Sequence, residues 1–499
     1  MLVLLMYLFL NQAMVSAWKI TLLLGISYLI MMFLRRNDAE MALSVAILVT
    51  GILSPCTVTE PAFIISVCCT ILIRWYMEIL ETPIRRLVQN GPLCGFLSMF
   101  LIILVGIMPI SLYFGYAITP LSYVLGVFMM PVIILIYILF YTGFLINLIF
   151  GACITLGIPL IILFVSKVSE LFAKIPFAQL YFGRVSLLFV TVFYMILYCV
   201  RRIILCYRSK VLELITAVLL LVLVVQGLNS VNDAKLTFVN VGQGDCAVIK
   251  TGMGQVVMLD GGGSPEYSDY NVGEAEVVPY LRANGINKIN TIILSHYDKD
   301  HAEGVVEVLK NIKVDKIILP DYTPDNKWRG EIEREAFANR VSTVYIDQPT
   351  NMELAKDISC EFIYAGKSKE ANDNSLVARI SYGQVDMLFT GDISRFVEDR
   401  LTDVKCHILK VPHHGSRTSS SERFVNLADA DFNVISVGRD NTYGHPVGFV
   451  VDRYLSQGGK LLRTDQCGEI NFVMNKKEIK RVYSLYDRFI YSSVLGLEK

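Results

Sequence analysis

The chain has 499 residues, 45 basic and 45 acidic side chains, and a hydrophobic content of 54%. Its zero formal net charge excludes a protein that binds nucleic acid through overall positive charge. Binding through a local basic surface is still compatible with this composition. Before about Asn229 the sequence is mostly apolar, and after it charged residues become frequent. We therefore predict two domains, a transmembrane domain at 1–228 and a soluble domain at 229–499.

The 11 cysteines are scattered and form no C-x-x-C pair, which argues against a disulfide framework or a structural zinc ribbon. The apolar start of the chain has no basic flank and no small-residue cleavage site, so we interpret it as a membrane segment and not as a signal peptide. A span needs about 17–25 apolar residues, and two of the predicted segments are shorter. The predicted membrane segments are Met1–Leu10, Trp18–Leu34, Met41–Leu53, Ala62–Tyr76, Leu93–Tyr113, Tyr116–Phe140, Gly143–Val165, Val185–Val200 and Val211–Leu228.

Positive charge between these segments predicts an orientation. The pairs Arg35-Arg36 and Arg85-Arg86 and the basic cluster at 201–210 are expected on the cytoplasmic side. If Met41–Leu53 crosses the membrane, two predicted segments lie between the two arginine pairs and four lie between the second pair and the basic cluster. Both numbers are even, so the three basic regions fall on one side, and Val211–Leu228 then carries the chain to the other side. We therefore predict a multi-pass protein of the cytoplasmic membrane with an extracytoplasmic soluble domain. The stretch around Glu170 is predicted to be an interfacial amphipathic helix.

In the second domain, apolar strands alternate with helices and end in polar or glycine-rich turns. This pattern predicts an α/β fold of two sheets with helices outside, built from similar halves. The predicted strands are Lys235–Val241, Gln255–Leu259, Thr291–Leu294, Lys316–Leu319, Leu376–Tyr382, Val385–Phe389, Ile408–Val411 and Asn433–Val437. Helices are predicted at Val277–Asn284 and Ala302–Lys310 and after Asp392 and Ser419, with a charged loop and helix at Asp321–Ala338.

One loop carries the main functional signal. The β-branched and apolar run Thr291–Leu294 predicts a buried strand, and His296, Asp298, Asp300 and His301 follow it within a few positions. Alternate spacing along an extended turn would point the first three side chains in one direction, leaving His301 for a second metal. A solvated polar loop is the alternative, but this loop uses two of the chain's six histidines.

The remaining candidate ligands also follow predicted strands. Asp392 comes after one apolar strand, His413 and His414 come after the next, and His445 lies in a loop farther on. His407 lies outside this pattern and is expected in the core or on a strand face. Five of the six histidines thus share strand-end loops, which favours one metal site at one edge of the sheets.

Several motifs occur in a fixed order and cover nearly all of residues 236–475. They are Val-Gly-Gln-Gly-Asp at 241–245, Leu-Asp-Gly-Gly at 259–262, Ser-His-x-Asp-x-Asp-His at 295–301, Asn-Ser-Leu-Val at 374–377, Thr-Gly-Asp at 390–392, Lys-Val-x-His-His-Gly-Ser at 410–416, Tyr-Gly-His-Pro at 443–446 and Thr-Asp-x-x-Gly-Glu-Ile at 464–470. Together they resemble the ComEC-type branch of the metallo-β-lactamase fold, an αββα sandwich. The membrane domain in front resembles the competence region of DNA-internalisation channels, and we expect an N-terminally truncated member.

The resemblance implies two metal ions. The first would be held by His296 and Asp298, and the second by Asp300, His301 and either His413 or His414, with Asp392 bridging. Asp298 replaces the second His of the common His-x-His-x-Asp-His pattern, and the added oxygen suits Mn²⁺ as well as Zn²⁺.

Further roles follow from the same resemblance and chemistry. His445 would lie beside the phosphate or act as a late ligand, and we take Asp300 and His445 as the candidate catalytic residues. Two divalent metals can activate water and stabilise the attacking and leaving oxygens at phosphorus. The candidate phosphate contacts are Lys410, Ser416, Arg417 and Asn374, although a solvated surface role is equally open for the basic and hydroxyl side chains.

The function implied is DNA uptake in natural transformation. The membrane domain would pass one strand across the cytoplasmic membrane, and the soluble domain would be a nuclease for the other strand. Implied partners are DNA, membrane lipid and the competence machinery, namely a DNA receptor and a cytoplasmic helicase, and the chain could form a homo-oligomer. Two alternatives stay open: a DNA-binding channel or scaffold with an inactive hydrolase domain, and a membrane-anchored metallo-hydrolase acting on another phosphodiester.

Overall fold

The computed structural model describes Gly25 and residues 39–150, 158–175, 178–205, 209–228, 233–265, 268, 270–322, 325–366, 368, 370–485, 491–492 and 497–498. The chain divides into two compact units, Met1–Leu221 and Val222–Lys499. The predicted membrane segments Met1–Leu10 and Trp18–Leu34, apart from Gly25, lie outside the described residues.

The first unit is helical. Its helices, with the one that leads into the second unit, are α1 (Ala39–Leu53), α2 (Pro55–Val58), α3 (Pro61–Leu87), α4 (Gly91–Gly115), α5 (Pro120–Phe150), α6 (Ile158–Ala173), α7 (Leu187–Ile204) and α8 (Lys210–Leu228). Two short strands, β1 (Ala117–Ile118) and β2 (Leu180–Tyr181), pair antiparallel. Among the described residues, α3, α4 and α7 are long and apolar enough to cross a membrane, and the apolar stretch Met41–Ile52 of α1 is shorter.

Polar contacts join these three long helices. The Tyr194 hydroxyl of α7 donates to the Gly106 carbonyl of α4 at 2.6 Å, and the Tyr76 hydroxyl of α3 donates to the Leu197 carbonyl of α7. A tyrosine buried among apolar side chains needs a partner for its hydroxyl, and here the backbone of the next helix provides it. The contacts therefore fix α3 and α4 against α7.

Two predicted boundaries in this unit are wrong. We predicted a break between Phe140 and Gly143, but α5 runs through these residues, and the Thr142 hydroxyl donates to the Ile138 carbonyl of the preceding turn at 2.7 Å. The predicted interfacial helix around Glu170 is the last part of α6 and not a separate element. There Glu170 pairs with Lys167 and Lys174, each at 3.0 Å, which favours continued helix.

The second unit contains two large sheets. A ten-stranded sheet has the order β19-β18-β17-β16-β3-β4-β5-β6-β7-β8, and a seven-stranded sheet has the order β15-β14-β13-β12-β11-β10-β9. The strands are β3 (Ala234–Phe238), β4 (Ala247–Thr251), β5 (Val256–Leu259), β6 (Lys288–Ile293), β7 (Lys313–Pro320), β8 (Ser342–Ile346), β9 (Thr350–Ala355), β10 (Ile358–Tyr364), β11 (Val377–Tyr382), β12 (Val385–Phe389), β13 (Ile408–Lys410), β14 (Phe432–Ile435), β15 (Lys460–Arg463), β16 (Ile470–Met474), β17 (Ile479–Ser484), β18 (Tyr491–Ser492) and β19 (Leu497–Glu498).

Helices lie between the strands of each half. They are α9 (Val278–Ala283), which follows a π-helical turn at Gly273–Val277, α10 (Lys299–Asn311), α11 (Lys327–Ala338), α12 (Arg395–Glu398), α13 (Glu422–Ala428), α14 (Gly448–Gln457) and α15 (Thr464–Cys467). Short 3₁₀ turns occur at Asn372–Asn374 and Pro412–Gly415.

Alternation along the strands builds three apolar layers. In β5, Val257 and Leu259 pack into the layer between the sheets, while Val256 and Met258 face the layer under α9, α10 and α11. A third layer lies between the seven-stranded sheet and α12, α13 and α14. Across the central layer, the Phe238 and Phe389 rings stack at 6.0 Å between centroids. The predicted αββα sandwich is therefore confirmed.

Candidate metal centre and its cleft

The predicted ligands lie at the carboxyl ends of parallel strands. Strands β5, β6 and β7 are parallel in one sheet, and β12, β13 and β14 are parallel in the other. Carboxyl ends of parallel strands form the edge at which α/β proteins place ligands. The loops that leave β6, β12 and β13 carry the candidate metal ligands to this edge.

Asp260 anchors the loop after β6. Its carboxylate accepts hydrogen bonds from the Ser295 backbone at 2.6 Å and from the Ser295 hydroxyl at 2.8 Å. The same carboxylate lies 2.9 Å from Nδ1 of His301. Since Nδ1 is engaged, His301 directs its Nε2 toward the other ligands. Asp260 belongs to the Leu-Asp-Gly-Gly motif at 259–262, from which the sequence alone predicts no role for its carboxylate.

The predicted extended turn is wrong for Asp300, because α10 begins at Lys299 and not at Ala302. The Asp298 carbonyl accepts from the His301 and Ala302 amides, which starts the helix directly after the strand loop. Asp300 therefore lies in the first helical turn, where a carboxylate is favoured by the helix dipole. It still lines the same cleft as Asp298.

Two glycine-rich turns press their backbones against this first helical turn. A Cβ at Gly244 would overlap the Asp300 carbonyl oxygen, and a Cβ at Gly263 would overlap the Lys299 carbonyl oxygen. The Asp245 amide donates to the Asp300 carbonyl at 3.2 Å. Both turns therefore need glycine for close approach, and together they fix the position of Asp300.

The turn after β13 presents two histidines in different directions. His413 and His414 both adopt left-handed conformations, with φ of 49° and 51°, and Gly415 follows at 78°. Consecutive left-handed residues other than glycine are costly and are concentrated at functional sites. The two rings lie at 71° to each other, so the turn points His414 inward and leaves His413 nearer to solvent.

An inner half of the centre is formed by Asp300, His301 and His414 around Asp392. Nε2 of His301 lies 3.5 Å from Oδ1 of Asp392, and Nε2 of His414 lies 3.4 Å from Oδ2 of Asp392. Oδ2 of Asp300 lies 3.4 Å from Nε2 of His414 and 4.0 Å from Nε2 of His301. Ligands bonded tetrahedrally to zinc stand about 3.4 Å apart, so these separations fit one divalent cation. Of the two histidines predicted as alternatives, the geometry favours His414.

Unpaired nitrogen atoms support this fit. The buried Nε2 atoms of His296, His301 and His414 have no hydrogen-bond partner among the described residues. Nδ1 of His414 is held by the Ser436 carbonyl at 2.8 Å, so its unpaired atom faces the carboxylates. A buried imidazole nitrogen without a partner is costly unless a ligand satisfies it, and a divalent cation would satisfy several at once.

Charge at the inner half points the same way. Burial disfavours the charged form of His414, but Asp392 and Asp245 outweigh it and raise the pKa of His414 to about 10. Burial likewise opposes the charge of His301, and Asp392 and Asp300 still hold its pKa well above the usual range. The neighbouring carboxylates therefore stabilise positive charge at the His301 and His414 rings. A bound metal ion would supply that positive charge in place of the imidazolium protons.

An outer half is formed by His296 and Asp298. Nε2 of His296 lies 3.7 Å from Oδ2 of Asp298, and the Asp298 side chain is 42% exposed. His413 lies nearby, with Nε2 3.8 Å from Oδ2 of Asp392 and 3.4 Å from Nδ2 of Asn372. Asn372 lines the cleft and was not predicted. The outer half thus offers fewer fixed ligands than the inner half.

The Asn374 side chain is hydrogen-bonded within its own loop. Its side chain accepts from the Ser368 amide and donates to the Ser368 and Glu370 carbonyls. These bonds hold the loop that carries Asn372, and they use up the amide. The role of Asn374 as a phosphate contact stays a prediction.

Lys410 lies beneath the centre, with its side chain buried. Its ammonium pairs with Asp245 and lies 3.4 Å from Oδ1 of Asp392. Burial would lower the pKa of Lys410, but Asp245 and Asp392 outweigh it and raise the pKa above the usual value. A charged lysine held in this way neutralises carboxylates from below, and its contact with phosphate stays a prediction.

Asp245 groups with His301, Asp392 and His414 as a candidate metal ligand. Its oxygens, however, lie 3.7 and 3.6 Å from the Nδ1 atoms of His301 and His414, the ring side away from Asp392. We therefore assign Asp245 to the layer that orients the two rings, together with Asp260. The signal in the sequence was its glycine-rich turn, which we noted without assigning a ligand.

The last two predicted phosphate contacts differ in exposure. Ser416 is buried, and its hydroxyl lies 3.1 Å from the Thr418 hydroxyl. Arg417 is exposed at the surface. Neither side chain lines the cleft described next, so both roles stay predictions.

A cleft of about 500 Å³ opens onto the centre. Asp298, Asp300 and Asp392 form part of its floor with His413 and His414. Its walls carry polar and aromatic residues from separate segments: Gln243, Ser264, Pro265, Tyr297, Lys299, Asn326, Lys327, Trp328, Asn372, Tyr443 and His445. Burial and the neighbouring imidazoles lower the pKa of His445 to about 4, so His445 is neutral at neutral pH.

Family comparisons cover both units of the chain. Residues 1–210 match the family model described as competence protein, and residues 239–439 match that of the metallo-beta-lactamase superfamily. The chain joins a competence-protein region to a metallo-β-lactamase domain. This confirms the resemblance to ComEC-type competence proteins that the motifs indicated.

Similar curated proteins include ComE operon protein 3 of Bacillus subtilis, 27% identical over 273 residues, and Competence protein ComA of Neisseria gonorrhoeae, 28% identical over 276 residues. Each match covers 51% of this chain and 35% of the relative, so the aligned region spans about a third of the relatives' length. Among solved structures, the metallo-beta-lactamase fold protein YhfI from Bacillus subtilis has a TM-score of 0.34 at 12% identity, covering 48% of this chain and 99% of YhfI.

Proposed function

We propose that this protein takes part in DNA uptake during natural transformation, with the soluble unit acting as a metal-dependent phosphodiesterase on DNA. In this proposal the membrane unit passes one strand across the cytoplasmic membrane, and the soluble unit degrades the other on the extracytoplasmic side. The names of the similar competence proteins support the process, and the centre of the soluble unit supports the reaction.

One observation carries the catalytic part. Three buried imidazoles direct unpaired nitrogens toward the Asp392 side of a cleft whose floor also holds Asp298 and Asp300. A purely structural cluster would pair those nitrogens with protein groups. Here the metal-binding side chains lie at the bottom of an open cleft. A phosphodiester can enter this cleft and reach a metal bound there.

The roles of the residues follow from their positions. Bound divalent cations, Zn²⁺ or Mn²⁺, would activate water and stabilise the negative charge that develops on the phosphoryl oxygens. Asp392 would serve both halves of the centre, and Asp300 would complete the inner half from the first turn of α10. Neutral His445 lines the cleft, so a ring N–H that faces the cleft would donate a hydrogen bond to a phosphoryl oxygen.

Cleavage by the purified full chain tests the reaction. After metal is stripped with a chelator, we expect added Mn²⁺ or Zn²⁺ to restore cleavage of an end-labelled single-stranded oligonucleotide. Asp300→Ala and Asp392→Ala should abolish it, whereas Asp315→Ala, which removes an exposed carboxylate near the start of β7, should not. DNA binding without cleavage would support the scaffold alternative. Preference for an envelope phosphodiester over DNA would support the membrane-anchored hydrolase.

Uptake and sidedness need experiments in cells. A deletion strain should lose transformation, and normal uptake without this chain would contradict the proposal. Phe337 is 88% exposed on α11, so Phe337→Cys offers a labelling site in the soluble unit. A membrane-impermeant thiol reagent should label that cysteine in cells whose cytoplasmic membrane is intact, and labelling only after lysis would contradict the extracytoplasmic location.

A further inference from the structure

We propose that Trp328 and Tyr443 form a base-stacking subsite in the cleft, so that the centre takes unpaired single-stranded nucleic acid and not duplex. The inference rests on the proposed function for its substrate class. It adds the residues that would select that class, none of which belongs to the metal-binding motifs.

The two rings belong to different segments that line the same cleft. Trp328 lies in the first turn of α11, and Tyr443 lies in the loop after β14. The metal-binding carboxylates Asp298, Asp300 and Asp392 line the same cleft. A polymer whose phosphate reaches the centre therefore passes aromatic side chains contributed by two separate parts of the chain.

Trp328 is held in place while still lining the cleft. Its backbone amide donates to the Asn326 side chain at 2.8 Å, which caps α11. The indole is partly buried against the apolar layer beneath α11. The Lys327 ammonium lies 4.6 Å from the centroid of the Trp328 ring and its side chain is 72% exposed. The ammonium therefore stands over the face of the ring, and a base that stacks there displaces it toward the phosphate of the bound nucleotide.

Tyr443 continues a series of rings that leads from the rim to the centre. It is 52% exposed and lies nearly parallel to the His445 ring, at 25° and 6.1 Å. His445 in turn lies 5.7 Å from His413. The Asn441 side chain clasps this loop by accepting from the His445 amide and donating to the His445 carbonyl. The loop geometry therefore holds the Tyr443 ring at the mouth of the cleft.

This lining discriminates between single strands and duplex. In a duplex the faces of the bases are covered by their neighbours, so an aromatic side chain can stack only on an unpaired base. Stacking is tolerant of sequence because every base has a π-face. The cleft has a volume of about 500 Å³, which is in the range of pockets that enclose small ligands.

Intrinsic fluorescence can report the subsite without any cleavage. The chain has three tryptophans, Trp18, Trp75 and Trp328, so the full chain carrying W18F and W75F emits from Trp328. With Zn²⁺ present, titration with a phosphorothioate oligothymidylate should quench this emission. A duplex of the same length should not quench it at equal concentration. Equal quenching by both, or none by either, would overturn the proposal.

Substitutions test each ring. Tyr443→Ala should weaken oligothymidylate binding about tenfold, and Tyr443→Phe should restore it, since the loss of one stacking ring costs about that much. For Trp328, removal of the ring should raise KM for a single-stranded oligonucleotide about tenfold and change kcat far less, because the ring holds the substrate and does not touch the reacting phosphate. Trp328→Ala carries this test, and Trp328→Tyr keeps a ring in case the alanine variant fails to fold. Phe337→Ala removes an exposed ring from the far end of the same helix as a matched control.

The two proposals can fail separately. Quenching with no hydrolysis of any phosphodiester would sink the catalytic proposal and keep the subsite. Hydrolysis with unchanged KM in both Trp328→Ala and Tyr443→Ala would keep the catalytic proposal and sink the subsite.

Discussion

On one side of Asp392, the Nε2 atoms of His301 and His414 lie 3.5 and 3.4 Å from its carboxylate oxygens. Both rings are anchored at Nδ1, one by Asp260 and the other by the Ser436 carbonyl. On the other side, His296 faces Asp298, whose side chain is 42% exposed. The fold therefore holds the ligands of the inner half in position before a cation binds. The ligands of the outer half can instead change position when the cation and the substrate bind.

Removal of the shared carboxylate should have the largest effect on both halves. We expect Asp392→Ala to lose nearly all bound metal and to lower phosphodiester hydrolysis by more than about 100-fold, the upper end for residues that only orient ligands. Metal content after dialysis, measured by mass spectrometry, checks this. Asp315→Ala is the matched control, and retention of a full metal complement by Asp392→Ala would place the centre elsewhere.

The lysine beneath the inner half should matter next most. Lys410→Met leaves the buried Asp245 carboxylate without its cation, which costs roughly 3–5 kcal/mol of folding free energy when one partner of a buried pair is removed. We expect a lower thermal unfolding midpoint of the soluble unit within the full chain. The double variant Lys410→Met with Asp245→Leu should recover most of the loss. An unchanged midpoint in the single variant would mean that water reaches Asp245.

The anchor of His301 should have a smaller effect, confined to metal affinity. Asp260→Asn keeps the shape of the side chain but weakens the bond to Nδ1, and loss of such a partner typically costs about 10–100-fold in affinity. Competition with a chelator of known affinity measures the change. Asp315→Asn, which alters an exposed pair with Lys288, should leave affinity unchanged. If Asp260→Asn binds metal with unchanged affinity, a residue other than Asp260 positions the ligands of the inner half.

The exposed ligand of the outer half should have the smallest effect. Asp298→Ala should lower metal affinity at the outer half by about tenfold and leave the inner half unchanged, since no residue of the inner half depends on its side chain. Stoichiometry at rising metal concentration separates the two. Equal loss from both halves would contradict the division between them.

The sequence predicted the fold class because local patterns were strong. Alternation in β3 and apolar strands that end in polar or glycine-rich turns were sufficient for an α/β fold of two sheets with helices outside, and the resemblance of the motifs implied the αββα sandwich. Several strands were missed, including β8, β9, β10 and β15, and the C-terminal hairpin β16–β17. Strand β16 pairs with β3 from the opposite end of the domain, and such a distant pairing leaves no local signal.

Site residues divide in the same way. His296, Asp298, Asp300, His301, Asp392 and His414 were predicted because metal-binding side chains followed strand ends in the sequence. Asp260 and Asn372 were not assigned a role, since their function lies in orientation or cleft contact. Lys410 and Asn374 were assigned to phosphate from their neighbours in sequence. The structure shows their burial and hydrogen bonds, which sequence spacing alone does not reveal.

Titration of the metal-free full chain with Zn²⁺ tests the central claim most directly. We predict two steps, a tight one that His414→Ala removes and a weaker one that Asp298→Ala removes. A single weak step that neither variant changes, or no binding at all, would contradict the account of the centre.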